Sequence, residues 1–276
     1  MAHHPAAAAG VQDRIAEKPP LDRETLRDVI DLALWAGQLL MQNGAETERV
    51  EETVHLLGTS LGAQWLDILV SPNAIILTTI SGEEFRTKVR RVVNLGVNMT
   101  ILAEVSDISY RIKRGELDRH SVRGELERIG HMQSNYNRWV VVGMVGLACA
   151  AFSRIFGGDW PVFAITFVAS SAAMFVRQEL NRHYFNPVLV AVVTAFVAGL
   201  IASSAIVFNL SPEPQIALAS AVLLLVPGVH LLNSAEDMIK GHMVTGIVRG
   251  VTGAVISLCI ALGLLLAMQL MGVRGL

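Results

Sequence analysis

After Tyr136 the chain carries five long stretches almost free of charge, at about 139–156, 160–176, 186–208, 214–232 and 243–271. Each is about 17 residues or longer, the second being the shortest. At 1.5 Å of rise per residue, helices of roughly this length cross a hydrocarbon core about 30 Å thick. No other feature restricts the fold as much. Charge counts sharpen the division. Residues 1–136 hold 34 of the Lys, Arg, Asp and Glu side chains, and residues 137–276 hold 12. The first density, about a quarter, is that of an ordinary soluble domain; the second is far below it. The chain therefore reads as a soluble half joined to a membrane half. That excludes a purely soluble enzyme and a purely integral channel, and composition excludes collagen-like, disordered and disulfide-scaffold classes.

A net charge of −2 leaves no footprint for nucleic-acid binding. Cys149 and Cys259 fall in separate apolar stretches and read as small packing residues, not a disulfide. Residues 1–22 read as a disordered tail. They include His3, His4 and Pro19-Pro20 but lack the basic start and apolar core of a secretory signal. The boundaries expected are a tail over 1–22, a cytoplasmic α+β domain over 23–136 and a five-helix membrane domain over 137–276. In the α+β domain, Leu26, Ile30, Ala33, Gly37 and Leu40 recur at helical spacing up to a stop at Asn43-Gly44. Val50, Val54, Leu57 and Leu61 mark a second helix ending at Gly62. Strand-like runs at 64–70, 74–80 and 85–92 are separated by turn residues. Two more helices follow, carrying Ile101, Val105, Ile108 and Ile112, then Val122, Leu126 and Ile129. A short connection, 134–137, leads to the first span. Arg86, Lys88 and Arg90 share one face of the third strand. A solvated sheet face accounts for them most simply; a basic face for anionic headgroups or substrate is the sharper reading.

Short-loop charges set the orientation. With the N-terminal half inside, Arg138, Arg177, Arg182 and Lys240 lie inside, against Arg154 and Arg274 outside. Five spans then put the C-terminus on the periplasmic side. Within the membrane half, residues 226–242 hold the densest polar cluster. Pro227 removes a backbone donor and Gly228 relaxes the chain, so the fourth span is expected to break there. Beyond it, His230, Asn233 and Asp237 fall on one helical face. Arg249 lies six residues into the fifth span, and a guanidinium there needs a partner or water. Asp237 is the best candidate. The plainer alternatives are a kink at Pro227-Gly228, a solvated loop at Glu236, Asp237 and Lys240, and an Arg249 that snorkels to the surface. Gly246 and Gly250 form a Gly-x-x-x-Gly pattern suited to close helix packing. In the N-terminal half, the acids of 46–52 suit a helix start. No dinucleotide, phosphate-loop, zinc-protease or Cys-x-x-Cys motif is present.

Gly44-Ala45-Glu46 with Arg49 and Glu51, the strand meander, and above all Pro227-Gly228, Asn233, Asp237, Gly241, Gly246 and Arg249 give a pattern that resembles the threonine/serine exporter family in its two-component form. The resemblance covers about 26–271. It implies a cytoplasmic domain followed by five spans. It also implies export of small carboxylate metabolites, either threonine and serine or a dicarboxylate such as succinate. The chain would be the larger subunit, working with a second short membrane subunit or as a homo-oligomer in the bacterial inner membrane. On this reading Arg249 meets a substrate carboxylate, and Asp237 pairs with it or carries a proton. Asn233 and His230 line the site, and Pro227 and Gly228 form a hinge. Gly241, Gly246 and Gly250 pack helices, and Gly44, Glu46 and Arg49 form the N-terminal motif. No metal or organic cofactor is implied; the partners are the solute and the lipid bilayer. The rival readings are a membrane-anchored sensor or scaffold, and an intramembrane enzyme built on His230, Asp237 and His242.

Overall fold

The computed structural model describes residues 19–93, 96–132 and 136–273. It is mostly helical, with one three-stranded sheet. The chain divides into two compact units. One gathers the described residues of 1–133 together with Val229–Gly250; the other gathers those of 134–228 and 251–276.

In the first unit, helix α1 (Arg23–Gln42) starts where Asp22 accepts hydrogen bonds from the Glu24 and Thr25 amides, 3.2 Å each. These acceptors satisfy amides that the first turn leaves free. It ends at Gly44, whose φ of +96° few other residues adopt. Helix α2 (Thr47–Ser60) follows after two residues and closes at Gly62. Strands β1 (Trp65–Ser71), β2 (Ala74–Ser81) and β3 (Glu84–Arg91) form an antiparallel meander in which Leu69 faces Ile76 and Ile76 faces Val89. Helices α3 (Met99–Lys113) and α4 (Arg119–Gly130) complete the N-terminal part. Leu26, Ile30, Leu34, Leu57, Ile75, Ile108 and Leu126 are fully or nearly fully buried in a single core, so the apolar stripes read from the sequence face one another. Of the expected tail, residues 1–18 lie outside the described residues. Leu21 packs on this core, and its amide donates to Ser81 Oγ at 2.8 Å. In the connection 134–137, Ser134 and Asn135 also lie outside the described residues, as does Arg274.

The basic residues of β3 form a face that is only partly solvated, with the Lys88 side chain 41% exposed. Arg86, Lys88 and Arg90 lie on the side turned toward α1, where Lys88 pairs with Asp31 and Arg90 Nε donates to Gln38 Oε1 at 2.5 Å. Leu69, Phe85 and Val89 take the exposed side instead. Partners offered by α1 outweigh the general tendency of charge to face water.

The second unit is built from α5 (Arg138–Ile155), α6 (Trp160–Arg182), α7 (Pro187–Val207), the short α8 (Gln215–Ala221) with a 3₁₀ turn at Leu223–Leu225, and the later part of α10 (Met243–Leu270). Asn137, Asp159 and Asn186 cap the first three helices, each accepting from an amide two or three residues on. Pro187 enters α7 at its first position, where no amide is needed. The packing suits lipid surroundings. Small residues (Ala169, Ala173, Ala198, Ala202, Ala205) are buried, and large ones (Met144, Phe152, Leu258, Leu262, Leu265) are exposed. At Gly263 a Cβ would lie 2.4 Å from the Val192 carbonyl, so only glycine lets α10 approach α7 this closely. Cys149 and Cys259 are free thiols.

Among the described residues four helices are long and apolar enough to cross a membrane, or up to five if a broken pair counts as one span. That pair is Gln215–Leu225 and helix α9 (Gly228–Ile239). The helix is interrupted at Val226-Pro227, where the missing proline donor ends it. The stretch expected as a fourth span over 214–232 is thus a short helical segment followed by a second helix, and that second helix belongs to the first unit.

Candidate functional site

The polar residues of 230–249 converge on the turn between α1 and α2. Gly44, Ala45 and Glu46 form that turn, and backbone groups there that lack a helical partner are met one by one. Asn233 Nδ2 donates to the Gly44 carbonyl at 2.8 Å. Arg249 Nη2 donates to the Ala45 carbonyl at 2.9 Å. The Thr47 amide donates to Asp237 Oδ1 at 2.8 Å. Glu46, the residue before α2, makes no side-chain cap bond, so the helix start is capped by a carboxylate 190 positions later in the chain. Such an anion also complements the positive end of the helix dipole. The second oxygen, Asp237 Oδ2, accepts from Arg249 Nη1 at 2.8 Å. Asp237 is fully buried and the Arg249 side chain 14% exposed. Every oxygen of this carboxylate is therefore engaged, as burial of charge requires.

Helix packing holds the two sides of this ion pair in place. Ser234 Oγ on α9 donates to the Gly246 carbonyl on α10 at 2.7 Å. A Cβ at Gly246 would lie 2.6 Å from Met238 Cγ, and one at Gly250 would lie 2.7 Å from Ser234 Oγ. The Gly-x-x-x-Gly spacing thus lets α9 and α10 lie close enough for Asp237 to reach Arg249. Gly241 does something else. It has φ +91°, forms the turn between the two helices, and a Cβ there would meet nothing within 4 Å. Gly228 opens α9, also with open space around it, directly after Pro227. His230 is half-buried and interacts electrostatically with Arg249.

A second layer of charge surrounds the pair. Lys240 Nζ lies 2.6 Å from both Glu48 Oε2 and Glu236 Oε1. These hydrogen bonds, with Glu236 first, hold Lys240 protonated well above the ordinary lysine range. Burial pushes the Glu51 carboxyl up, an effect partly opposed by His242, whose Nδ1 is 3.8 Å away. Arg49 lies on the far side of the same first turns of α2, with Glu46 and Glu52, around a cavity. Ser234, Thr47 and Lys240 were not singled out from the sequence as site residues. Among the described residues no group of three His, Cys, Asp or Glu side chains has metal-binding geometry.

Several long apolar helices, small residues inside and large ones outside, define an integral membrane protein. The family model described as "Putative threonine/serine exporter" matches residues 31–271. This chain belongs to the threonine/serine exporter family. It is 38% identical over 257 residues to the "Probable succinate transporter subunit YjjP" of Klebsiella aerogenes, covering 92% of this chain and 98% of that one. The protein of the same name from Escherichia coli K12 is 36% identical, covering 92% and 99%. The "Threonine/serine exporter" of Corynebacterium glutamicum is 23% identical over 251 residues, which are 88% of this chain but 51% of that one. No solved structure matches. These matches favour the exporter reading over a sensor or scaffold.

Proposed function

We propose that this chain is the larger subunit of a two-component exporter for small carboxylates, with the Arg249–Asp237 pair as its substrate and coupling site. The observation that carries the reading is this buried pair on the Gly44–Thr47 turn. A guanidinium and a helix N-terminus together recognise carboxylates, and here both already hold one. A solute carboxylate would take the place of Asp237 on Arg249, and protonation of Asp237 would release the guanidinium. Asn233 and His230 border the exchange, and Pro227 with Gly228 supplies the hinge before α9. Arg49, Glu46 and Gly44 shape the turn the pair grips. Buried hydroxyls at Thr166, Thr194, Ser203 and Ser220, each without a hydrogen-bond partner among the described residues, offer polar contacts within the apolar helices.

The relatives named as transporter subunits match over nearly their whole length, which supports a separate partner subunit. Succinate is the first solute to test, and threonine and serine the next. Residues 23–136 form the cytoplasmic domain, and the broken pair counts as the fourth of five spans. The N-terminus is inside and the C-terminus periplasmic, in an inner membrane. Labelled succinate, threonine and serine are preloaded into cells lacking the chain, and efflux is followed after restoring it with and without the second subunit. Restored efflux that Arg249→Ala abolishes, with membrane insertion intact, supports the reading. Normal efflux by Arg249→Ala refutes it.

A further inference from the structure

Charge is spread unevenly along the first unit. Helix α1 carries Arg23, Glu24, Arg27, Asp28 and Asp31 in its first half, where Asp28 pairs with Arg119 and Arg123 of α4. From Asp31 to Glu46 no Lys, Arg, Asp or Glu intervenes, nor from Arg91 to Glu104, nor from Glu213 to Glu236. These charge-free stretches meet at the Gly44 turn. The Gly96 amide donates to the Gln42 carbonyl at 2.7 Å, and the Asn98 amide to the Asn43 carbonyl at 3.0 Å. Val97 is held between these two bonds. A Cβ at Gly44 would lie 3.4 Å from Val97 Cγ2 and 3.6 Å from Val229 Cγ1. Val97 and Met99 are nevertheless 49% and 57% exposed, and Leu232 of α9 is 68% exposed. An end without charge that bares large apolar side chains is unfavourable in water and marks a surface that is covered.

Helix α10 identifies the cover. Of its 28 residues, Met243–Gly250 belong to the first unit. The remainder, Val251–Leu270, is about 30 Å long at 1.5 Å per residue, the thickness of a hydrocarbon core. No Lys, Arg, Asp or Glu stands between Arg249 and Arg274. The core is thus filled from Val251 onward, and Arg249 marks its edge. Arg249 Nη2 holds the Ala45 carbonyl, so the Gly44 turn lies at that same edge. A tilted helix reaches less far across the bilayer and draws the turn deeper. Exposed apolar side chains run without a break along α10, from Met243, Val244, Ile247 and Val248 to Val251 in the stretch that lipid surrounds. We infer that the first unit rests on the bilayer by this end, with Val97 and Met99 inserted at the boundary of headgroups and acyl chains. The inference rests on α10 crossing the membrane, not on Arg249 taking a substrate. It places the Arg249–Asp237 pair at the edge of the hydrocarbon, away from the midplane where broken-helix transporters hold their substrates.

Spin labelling of the full chain tests this, in vesicles of phosphatidylethanolamine and phosphatidylglycerol. In a background of Cys149→Ala and Cys259→Ala, single labels enter through Val97→Cys, Met99→Cys, Glu83→Cys and Leu262→Cys. Glu83 is exposed in the turn between β2 and β3, and Leu262 is exposed on α10, so they serve as the water and lipid references. Collision with oxygen, which concentrates in lipid, is compared with collision with a water-soluble nickel chelate. Labels at Val97 and Met99 are expected to favour oxygen and to lie about 5–10 Å into the headgroup and acyl boundary, shallower than the label at Leu262. The label at Glu83 should favour nickel. The inference is overturned if the Val97 or Met99 label reads as the Glu83 label does. It is equally overturned if both collision rates are low there, because protein, such as a second copy of the chain, then covers the face. Unfolding midpoints matching the unlabelled chain identify folded variants, and two exposed positions keep the test decisive if one of them fails. Export is not measured, so failure here and failure of the exporter reading are distinguishable.

Discussion

Removing one partner of the Asp237–Arg249 pair should cost more stability than removing both. Asp237 is fully buried and Arg249 nearly so, with 2.8 Å between Oδ2 and Nη1. Charge centres about 4 Å apart attract by about 4 kcal/mol at an effective dielectric of about 20. Deleting one partner forfeits this and strands the other charge, a loss of about 3–5 kcal/mol in buried pairs. Asp237→Leu leaves the guanidinium with the Ala45 carbonyl alone. Arg249→Met leaves the carboxylate with the Thr47 amide alone. The double variant buries no charge and loses mainly the helix cap and one carbonyl contact, about 1–2 kcal/mol. The full chain in detergent is unfolded thermally and followed by tryptophan fluorescence, since Trp35 and Trp65 report on the first unit. Each single variant should lower the midpoint by about 6–20 °C, at about 2–4 °C per kcal/mol for a domain of this size. The double variant should lie well above either. Strictly additive effects, with coupling below about 0.5 kcal/mol, would refute the pairing as the element holding the turn.

Two further outcomes follow from neighbouring residues. Gly246→Val places a branched side chain where even a Cβ would be 2.6 Å from Met238 Cγ and 2.9 Å from the Ser234 carbonyl. It should cost about 1–3 kcal/mol and weaken export, read as a lowered unfolding midpoint together with reduced efflux. Glu51 has a carboxyl pKa raised by burial above the ordinary 4.5. Its protonated form is the one the fold favours, so stability is fully present below that value and falls as pH rises through the raised one. Glu51→Gln should flatten this fall in a midpoint-versus-pH series, and an unchanged slope would count against it.

Local pattern carried much of the first unit. Stripes such as Leu26, Ile30 and Ala33, and the glycines at 44 and 62, mark helices and their ends because periodicity and positive φ are local matters. The strand runs differ from the observed β1 to β3 by a residue at several ends. The orientation of Arg86, Lys88 and Arg90 was not legible, because it depends on Asp31 and Gln38 across a packed layer. For the same reason, Gly44-Ala45-Glu46 and Asp237 could each be singled out, but nothing in the sequence joined them. Their contact spans 190 positions, and no period reaches that far. Pro227 marked the helix break through its own chemistry. That the helix beyond it turns to the first unit depends on backbone carbonyls that every residue has.

The cap on α2 also has a timetable. Thr47 leaves the ribosome 190 residues before Asp237 does. At about 5–20 residues per second, the start of α2 waits about 10–40 seconds for the group that completes it. During that interval four apolar segments emerge and the first unit still lacks Val229–Gly250. Folding of the N-terminal part therefore cannot finish ahead of synthesis of the membrane segments. A nascent chain stopped before residue 229 should expose an uncapped α2, a state that proteases and chaperones would meet on every round of translation.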